Sequence, residues 1–139
     1  MPYRNPQYGF ALNYPSTFAL DPESVPDNGD SAQFWTTDRS ATVVVTGLHN
    51  RMRQPLGELL REAKRDIVEN RRGTITYERT RDGWFVLSGF VANRIFYRRT
   101  FLSQGGSIIA TLWIEFPRHM RPCFDNAVTM MSHSFRAIP

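Results

Sequence analysis

The sequence predicts an α+β fold: an antiparallel sheet with a C-terminal four-stranded meander, covered by two main helices as an α/β/α sandwich. Two observations lead to this prediction. Four segments rich in β-branched and aromatic residues follow one another between short turn signals. Two further segments carry apolar residues at helical spacing. The chain of 139 residues is expected to form a single domain, residues 1–139.

The meander is predicted from three turn signals. Asp82-Gly83 and Gly105-Gly106 suit the positive φ of two-residue hairpin turns, and Ala92-Asn93 is a weaker signal of the same kind. The turns separate four predicted strands: Thr74–Arg81, Trp84–Val91, Arg94–Ser103 and Ser107–Phe116. Because two-residue turns fix the register, alternate side chains can be assigned to the two faces of the sheet.

Both faces of the predicted meander carry enough apolar side chains that each is expected to be at least partly covered. The first face is predicted to carry Ile75, Tyr77, Arg79, Arg81, Trp84, Val86, Ser88, Phe90, Ile95, Tyr97, Arg99, Phe101, Ala110, Leu112, Ile114 and Phe116. The second face is predicted to carry, among others, Phe85, Leu87, Phe96, Arg98, Ile109 and Trp113. On this register Arg98 lies opposite Trp113, which would allow a cation–π contact.

Two amphipathic helices are predicted, one before and one after the meander. Both Pro55–Asn70 and Pro122–Phe135 have apolar residues at i, i+3, i+4, i+7 and i+11. The predicted buried stripe of the first helix is Leu56, Leu59, Leu60, Ala63 and Ile67. That of the second helix is Phe124, Ala127, Val128, Met131 and Phe135.

The N-terminal half is predicted to add short strands to the sheet. Tyr8–Tyr14 is interpreted as a short edge strand that ends at a proline, and Phe18–Leu20 as a second extended piece. Asp21–Asp30 has the composition of a loop. Ala32–Thr36 and Thr42–Gly47 are predicted to form a hairpin, and the second of these strands is apolar on both sides, as in a covered strand.

Charge and hydropathy narrow the classes of partner. The net charge is +4, but the arginines are scattered rather than gathered into a stripe, so no nucleic-acid partner is expected. No segment approaches the roughly 18 apolar residues of a membrane span, so no integral membrane segment is expected. The chain opens without an apolar leader. The expected location is therefore periplasmic or secreted if a leader precedes Met1, and otherwise cytoplasmic.

The sequence contains no catalytic or metal-binding motif. His49, His119 and His133 lack metal-ligand spacing, and Cys123 has no second cysteine to pair with. Motifs of nucleophilic, phosphate-binding and zinc enzymes are also missing. We therefore predict no catalytic residue, no metal and no cofactor, and expect a protein that is not an enzyme.

The predicted register brings five polar side chains together on the first face. Tyr77, Ser88 and Tyr97 should lie side by side across three strands, with Arg79 and Arg99 in the next row. Two guanidinium groups beside two phenols and a hydroxyl could hold a carboxylate or a phosphate. These residues form the candidate ligand site.

Three aromatic residues form a second candidate, a protein-binding face made by Trp35, Phe96 and Trp113. Each candidate has a structural alternative. The two arginines could instead meet acidic residues of the first helix, such as Glu62 or Asp66, or extend past its edge. The three aromatic side chains could instead pack beneath the second helix.

The order of segments also resembles a known family. The features are YGF near the N-terminus, an FW strand, a helix, then GWFVLSGF and RIFYRRTF, and a terminal helix that ends in SHSFRA. This order is similar to that of small bacterial domains of the PsbP-like superfamily. The resemblance implies a central antiparallel sheet covered by helices and a non-catalytic role in protein binding or assembly. We therefore predict a binding or accessory module that contacts an unidentified protein partner or forms a homodimer; the alternative is a small-ligand or anion-binding domain that uses the arginine–tyrosine cluster.

Overall fold

The computed structural model describes residues 1–139, which form ten strands and two main helices. The N-terminal strands are β1 (Pro2–Asn5), β2 (Phe10–Asn13), β3 (Phe18–Asp21), β4 (Ser31–Thr36) and β5 (Thr42–His49). Helix α1 (Leu56–Arg65) follows and continues into a π-helical turn at Asp66–Asn70. The C-terminal elements are β6 (Thr74–Arg81), β7 (Trp84–Val91), β8 (Arg94–Ser103), β9 (Ile108–Pro117), α2 (Arg121–Ser134) and β10 (Arg136–Ala137).

Seven of the strands form one antiparallel sheet in the order β3-β4-β5-β9-β8-β7-β6. Helix α1 packs on one face of this sheet. Helix α2 packs on the other face, together with a small sheet in the order β1-β2-β10. The predicted α+β class and the arrangement of an antiparallel sheet between two helices are confirmed.

The meander has the predicted register. Arg98 pairs with Trp113, and Ser88 pairs with Tyr97. The third reversal is longer than predicted, since residues 104–107 lie outside the strands and three of them have positive φ. The faces are unchanged, because Ser103 still pairs with Ile108.

One residue, Ile75, lies on the opposite face of the sheet from the one predicted. A bulge in β6 shifts the register between Ile75, which pairs with Gly89, and Tyr77, which pairs with Ser88. The extra residue turns Ile75 to the second face, where it packs against the core under α1. Gly89 is required at this point because a Cβ there would lie 1.9 Å from the carbonyl oxygen of Thr74.

Two separate cores flank the sheet. Under α1 lie Leu59, Ala63, Ile67, Phe85, Leu87, Phe96 and Trp113. The larger core, under α2 and the small sheet, includes Phe10, Leu12, Phe34, Val43, Leu112, Ile114, Phe116, Phe124 and Met131. The predicted apolar stripes of both helices are confirmed, and burial of each large side chain contributes roughly 1.5–3 kcal/mol.

The predicted extended piece β3 and the predicted hairpin of β4 and β5 are confirmed, but the first strand of the prediction lies elsewhere. Strand β2, within the predicted edge strand, is instead the central strand of the small sheet, between β1 and β10. The chain at the start of β2 packs closely on Gly47 of the main sheet, where a Cβ would lie 2.6 Å from the Cβ of Tyr8 and 2.9 Å from the ring of Phe10. The two edges of the main sheet are β3 and β6. The strands β1 and β10 were not predicted, because four and two residues are too short to show a period.

Candidate functional site

The five residues of the arginine–tyrosine cluster lie on one face of the meander. Tyr77 pairs with Ser88, and Ser88 pairs with Tyr97, so these side chains form a row across β6, β7 and β8. Arg79 and Arg99 occupy the next row, on either side of one residue of β7. The pairing along three neighbouring strands is therefore what brings the two guanidinium groups together.

An open cleft separates this face from α2. This α2 cleft has a volume of about 420 Å³ and is lined by Tyr77, Arg79, Trp84, Val86, Tyr97 and Arg99 from the sheet and by Val128, Thr129, Ser132 and His133 from the helix. It exists because α2 packs on β2, β8 and β9, while the edge strand β6 is largely exposed. Four of the five predicted residues line the cleft, and Ser88 lines a smaller adjoining pocket.

Arg79 and Arg99 have no acidic partner. The guanidinium of Arg99 lies 4.2 Å from the ring centroid of Trp84, and that of Arg79 lies 5.9 Å from it. Arg99 Nη1 donates a hydrogen bond of 3.4 Å to Ser132 Oγ, while its buried Nε has no hydrogen-bond partner. The ion pairs of the protein are Lys64–Glu78, Arg71–Asp66, Arg94–Glu115 and Arg121–Asp125.

The structural alternative for these arginines, pairing with Glu62 or Asp66, is wrong. Those acids belong to the segment that covers the second face of the sheet, whereas the arginines project from the first face. Asp66 pairs with Arg71 at 3.1 Å, and Glu62 accepts a hydrogen bond of 2.7 Å from the side chain of Gln54. The arginines of the α2 cleft therefore lie beside Trp84 and α2, on the opposite side of the sheet from those acids.

Helix α2 adds polar residues that the sequence analysis missed. Ser132 is buried, and its hydroxyl shares a hydrogen bond with the hydroxyl of Tyr97. A signal was available, because Ser132 lies four residues after Val128 and eight after Phe124, within the apolar stripe. The sequence did not show which face of the sheet each helix covers.

The aromatic candidate is corrected by burial. Phe96 is completely buried and Trp113 is 9% exposed, so neither ring is available to form a protein-binding face. The two rings stack with centroids 5.0 Å apart and an interplanar angle of 9°. They pack beneath the first helix, α1, rather than beneath the second. Trp35 is half-buried on β4, where the guanidinium of Arg39 lies 5.1 Å from its ring centroid.

The predicted contact between Arg98 and Trp113 is also corrected. The two residues are paired across β8 and β9, but the guanidinium over Trp113 belongs to Arg71, 4.2 Å from the ring centroid. The guanidinium of Arg98 instead lies 6.0 Å from the ring centroid of Phe85. Its Nε donates a hydrogen bond of 3.2 Å to Thr100 Oγ1.

A second groove lies on the α1 side of the sheet. It has a volume of about 570 Å³ between α1 and the strands β5 and β9, with Val44, Ile109 and Trp113 among its lining residues. Burial lowers the pKa of the Arg98 guanidinium there, and Arg98 forms no ion pair. The pKa of Asp66 is lowered as well, chiefly by a hydrogen bond from the side chain of Asn70. The acids of this groove thus already have partners within the protein.

Comparison with known proteins relates the architecture to solved structures. No family model and no curated protein matches the chain. Cyanobacterial PsbP (CyanoP) from Synechocystis matches with a TM-score of 0.72 at 14% identity, over 99% of this chain and 91% of that one. The Ran-binding protein Mog1p from Saccharomyces cerevisiae matches with a TM-score of 0.69 at 10% identity, over 99% and 95%. LpqN from Mycobacterium tuberculosis, involved in cell envelope biogenesis, matches with a TM-score of 0.63 at 15% identity, over 100% and 90%.

The fold is PsbP-like. In this fold both helices lie against the seven-stranded sheet, and neither is long and apolar enough to cross a membrane. No three side chains of the His, Cys, Asp and Glu types lie close enough together to hold a metal ion. The polar side chains that line the α2 cleft are its two arginines, its hydroxyl groups and one exposed histidine, His133.

Proposed function

We propose that this protein is a non-catalytic binding module that acts through contact with another protein, and that its α2 cleft receives an acidic group of that partner. One observation carries the proposal: two neighbouring guanidinium groups face an open cleft without an acidic partner. Guanidinium groups bind carboxylates and phosphates through paired hydrogen bonds. Arginine is also among the side chains that dominate the free energy of protein–protein binding.

The surroundings of Arg99 support anion binding. Its guanidinium forms no ion pair and donates one long hydrogen bond, of 3.4 Å to Ser132 Oγ, so other donors of the group remain for an anion. The like charges of Arg79 and Arg99, on either side of Val86, also repel each other. An anion that approached both Arg79 and Arg99 would offset this repulsion. The indole of Trp84 and the hydroxyl of Ser132 hold the Arg99 guanidinium in place, which limits the conformational entropy lost on binding.

A small-molecule anion is the second candidate for the same cleft. The volume of about 420 Å³ lies within the roughly 300–1,000 Å³ typical of small-ligand sites. The recognised chemistry is the same, a carboxylate or phosphate between Arg79 and Arg99. The two candidates differ in whether this group is free or belongs to a polypeptide.

The proposal is tested by NMR titration of the isotope-labelled protein with hexaglutamate, with hexalysine as the charge control and inorganic phosphate as the small anion. Hexaglutamate is expected to shift the amide signals of β6, β8 and the C-terminal half of α2. Arg79→Gln combined with Arg99→Gln should weaken this binding at least about tenfold, the equivalent of 1.4 kcal/mol. The single variant Arg4→Gln, which removes an exposed arginine of β1, should bind like the wild type.

The outcomes separate the candidates. Hexaglutamate that binds at least about tenfold more tightly than phosphate supports the protein-borne acid. Phosphate that binds as tightly, with the same dependence on Arg79 and Arg99, supports the small-molecule anion. Shifts that map away from the α2 cleft, or equal affinity in the double variant, would overturn both.

A further inference from the structure

The groove on the α1 side of the sheet exists because α1 covers only part of the second face. Phe85, Leu87 and Phe96, beneath the helix, are completely buried. Five side chains on the same face of β5 and β9 are only half-buried: Thr42, Val44, Thr46, Ile109 and Thr111. The space between them and the helix, here called the α1 groove, has a volume of about 570 Å³, which is within the roughly 300–1,000 Å³ typical of small-ligand sites.

The walls of the α1 groove are mixed rather than purely apolar. Apolar side chains come from the helix, as Leu59 and Ala63, and from the strands, as Val44, Ile109 and Trp113. Threonine hydroxyls and several charged groups complete the lining. Small-molecule sites combine apolar walls with a few polar groups that orient the ligand, so the charged groups decide which ligand fits.

Among these charged groups, Arg98 is the cation without an acidic partner. The other guanidinium in the groove, that of Arg71, pairs with Asp66 at 3.1 Å. Arg98 donates one hydrogen bond, from Nε to Thr100 Oγ1 at 3.2 Å, and forms no ion pair. Its two terminal nitrogens have no hydrogen-bond partner in the protein, and neither is sealed from solvent. The end of this guanidinium can therefore donate two hydrogen bonds to one carboxylate.

The acids that line the α1 groove do not neutralise Arg98. Glu115 is ion-paired elsewhere, and Glu62 is exposed and accepts a hydrogen bond of 2.7 Å from a neighbouring amide. Asp66 attracts Arg98 but is bound to Arg71, so one carboxylate faces two guanidinium groups. Burial lowers the pKa of Arg98, and so does the charge of Arg71. A carboxylate brought by a ligand would balance the second cation.

For stability alone, an arginine is an unfavourable residue at position 98. A half-buried charge without an ion-pair partner destabilises the folded state, and residues that lower stability are typical of binding sites. We infer that the α1 groove binds a small organic acid with one carboxylate and an apolar body. The carboxylate accepts hydrogen bonds from the terminal nitrogens of Arg98, and the apolar body lies against Val44, Leu59 and Ile109. The site lies on the opposite face of the sheet from the α2 cleft and goes beyond the proposed function.

The inference is tested by NMR titration of the isotope-labelled protein with octanoate. Octanoate is expected to shift the amide signals of α1, β5 and β9. Butyrate, which has the same carboxylate and a shorter apolar chain, should bind at least about tenfold more weakly. The alcohol 1-octanol keeps the apolar chain without the charge, and should also bind about tenfold more weakly than octanoate.

Three variants locate the two contributions. Arg98→Met should weaken octanoate about tenfold and leave the affinity for 1-octanol unchanged, because only the carboxylate contacts the guanidinium. The matched control is Arg61→Met, which removes an exposed arginine of α1 that does not line the groove and should bind octanoate like the wild type. Thr46→Trp adds a large side chain to the floor of the groove and should weaken both ligands. Circular dichroism checks that each variant keeps the fold.

Several outcomes would overturn the inference. Shifts that map outside the α1 groove, or equal octanoate affinity of Arg98→Met and the wild type, would remove the role of Arg98. Butyrate or 1-octanol that bound as tightly as octanoate would remove the apolar body or the carboxylate from the recognised ligand. Hexaglutamate that displaced octanoate would replace the small acid by an acidic polypeptide.

The result is independent of the α2 cleft. Arg79→Gln combined with Arg99→Gln should bind octanoate like the wild type, since both arginines lie on the other face of the sheet. Loss of octanoate binding in this double variant would place the octanoate site in the α2 cleft and contradict the inference. The proposed function is judged by hexaglutamate alone, so either proposal can fail without the other.

Discussion

Tyr97 and Ser132 share a hydrogen bond between their hydroxyl groups, which joins β8 to α2 at the floor of the α2 cleft. Ser132 is buried, and its hydroxyl also accepts a hydrogen bond from Arg99 Nη1. One serine therefore connects the helix, the sheet and one of the two arginines. A buried hydroxyl without a hydrogen-bond partner destabilises the folded state, so this contact also fixes the position of α2 on the sheet.

Removal of the Tyr97 hydroxyl tests this connection. Tyr97→Phe leaves Ser132 with only its long hydrogen bond from Arg99, so the free energy of unfolding is expected to fall by about 1 kcal/mol in urea denaturation. The control is Tyr77→Phe, since the side chain of Tyr77 is half exposed. That variant should stay within about 0.5 kcal/mol of the wild type. Equal stability of the two variants would mean that the hydroxyl pair adds nothing to the packing of α2.

The β6 bulge makes a prediction about Gly89. In Gly89→Ala the new methyl group would lie 1.9 Å from the carbonyl oxygen of Thr74, so β6 or β7 must shift. The free energy of unfolding is expected to fall by about 2–3 kcal/mol. The same substitution at the exposed Gly57 of α1 should raise it by about 0.5 kcal/mol, because alanine favours the helix. A Gly89→Ala variant as stable as the wild type would contradict the bulge.

These residues also show what the sequence could predict. The register that brings Tyr77, Ser88 and Tyr97 together was predictable because tight turns determine strand pairing locally. The bulge was not recognised, although a glycine within a strand, Gly89, is a signal of one. The reversal of Ile75 from one face to the other is the direct result.

The sequence could not predict which face of the sheet each helix covers. Both apolar stripes match either face of a sheet that is apolar on both sides, so nothing local assigns α1 to Phe96 and α2 to Tyr97. The arginine–tyrosine row could therefore be predicted, but the cleft above it could not. Ser132 and His133 enter the site only because α2 lies on that face.

Replacement of Arg98 by an apolar residue is expected to raise the free energy of unfolding. Arg98 is largely enclosed between α1 and the sheet, forms no ion pair, and burial lowers the pKa of its guanidinium. Arg98→Met keeps the apolar stem and removes the desolvated charge, so the free energy of unfolding is expected to rise by about 1 kcal/mol. Arg94→Met is the matched control with the opposite sign. It breaks the 2.5 Å ion pair with Glu115 and should lower stability by about 2 kcal/mol.

The turn between β4 and β5 makes a prediction about pH. The pKa of Asp38 is lowered to about 2, chiefly by a hydrogen bond from the Ser40 hydroxyl and also by its backbone N–H. Because the pKa is lower in the folded state, the stabilisation is complete above the ordinary value of 3.8 and is lost as the pH falls towards 2. In an NMR titration Ser40→Ala should raise the pKa of Asp38 towards 3.8. Thr37→Ala, in the same turn, should leave it unchanged.

Arg99→Lys separates charge from geometry in the α2 cleft. A lysine keeps the positive charge, but its ammonium group cannot stack flat on Trp84 or offer two parallel donors to a carboxylate. We expect hexaglutamate to bind this variant about three- to tenfold more weakly than the wild type, but more tightly than Arg99→Gln. The measurement is the same NMR titration, repeated at two salt concentrations, since a purely electrostatic contribution is screened by salt. If Arg99→Lys bound like the wild type at both concentrations, the cleft would attract anions by charge alone, and the stacked guanidinium would have no part in recognition.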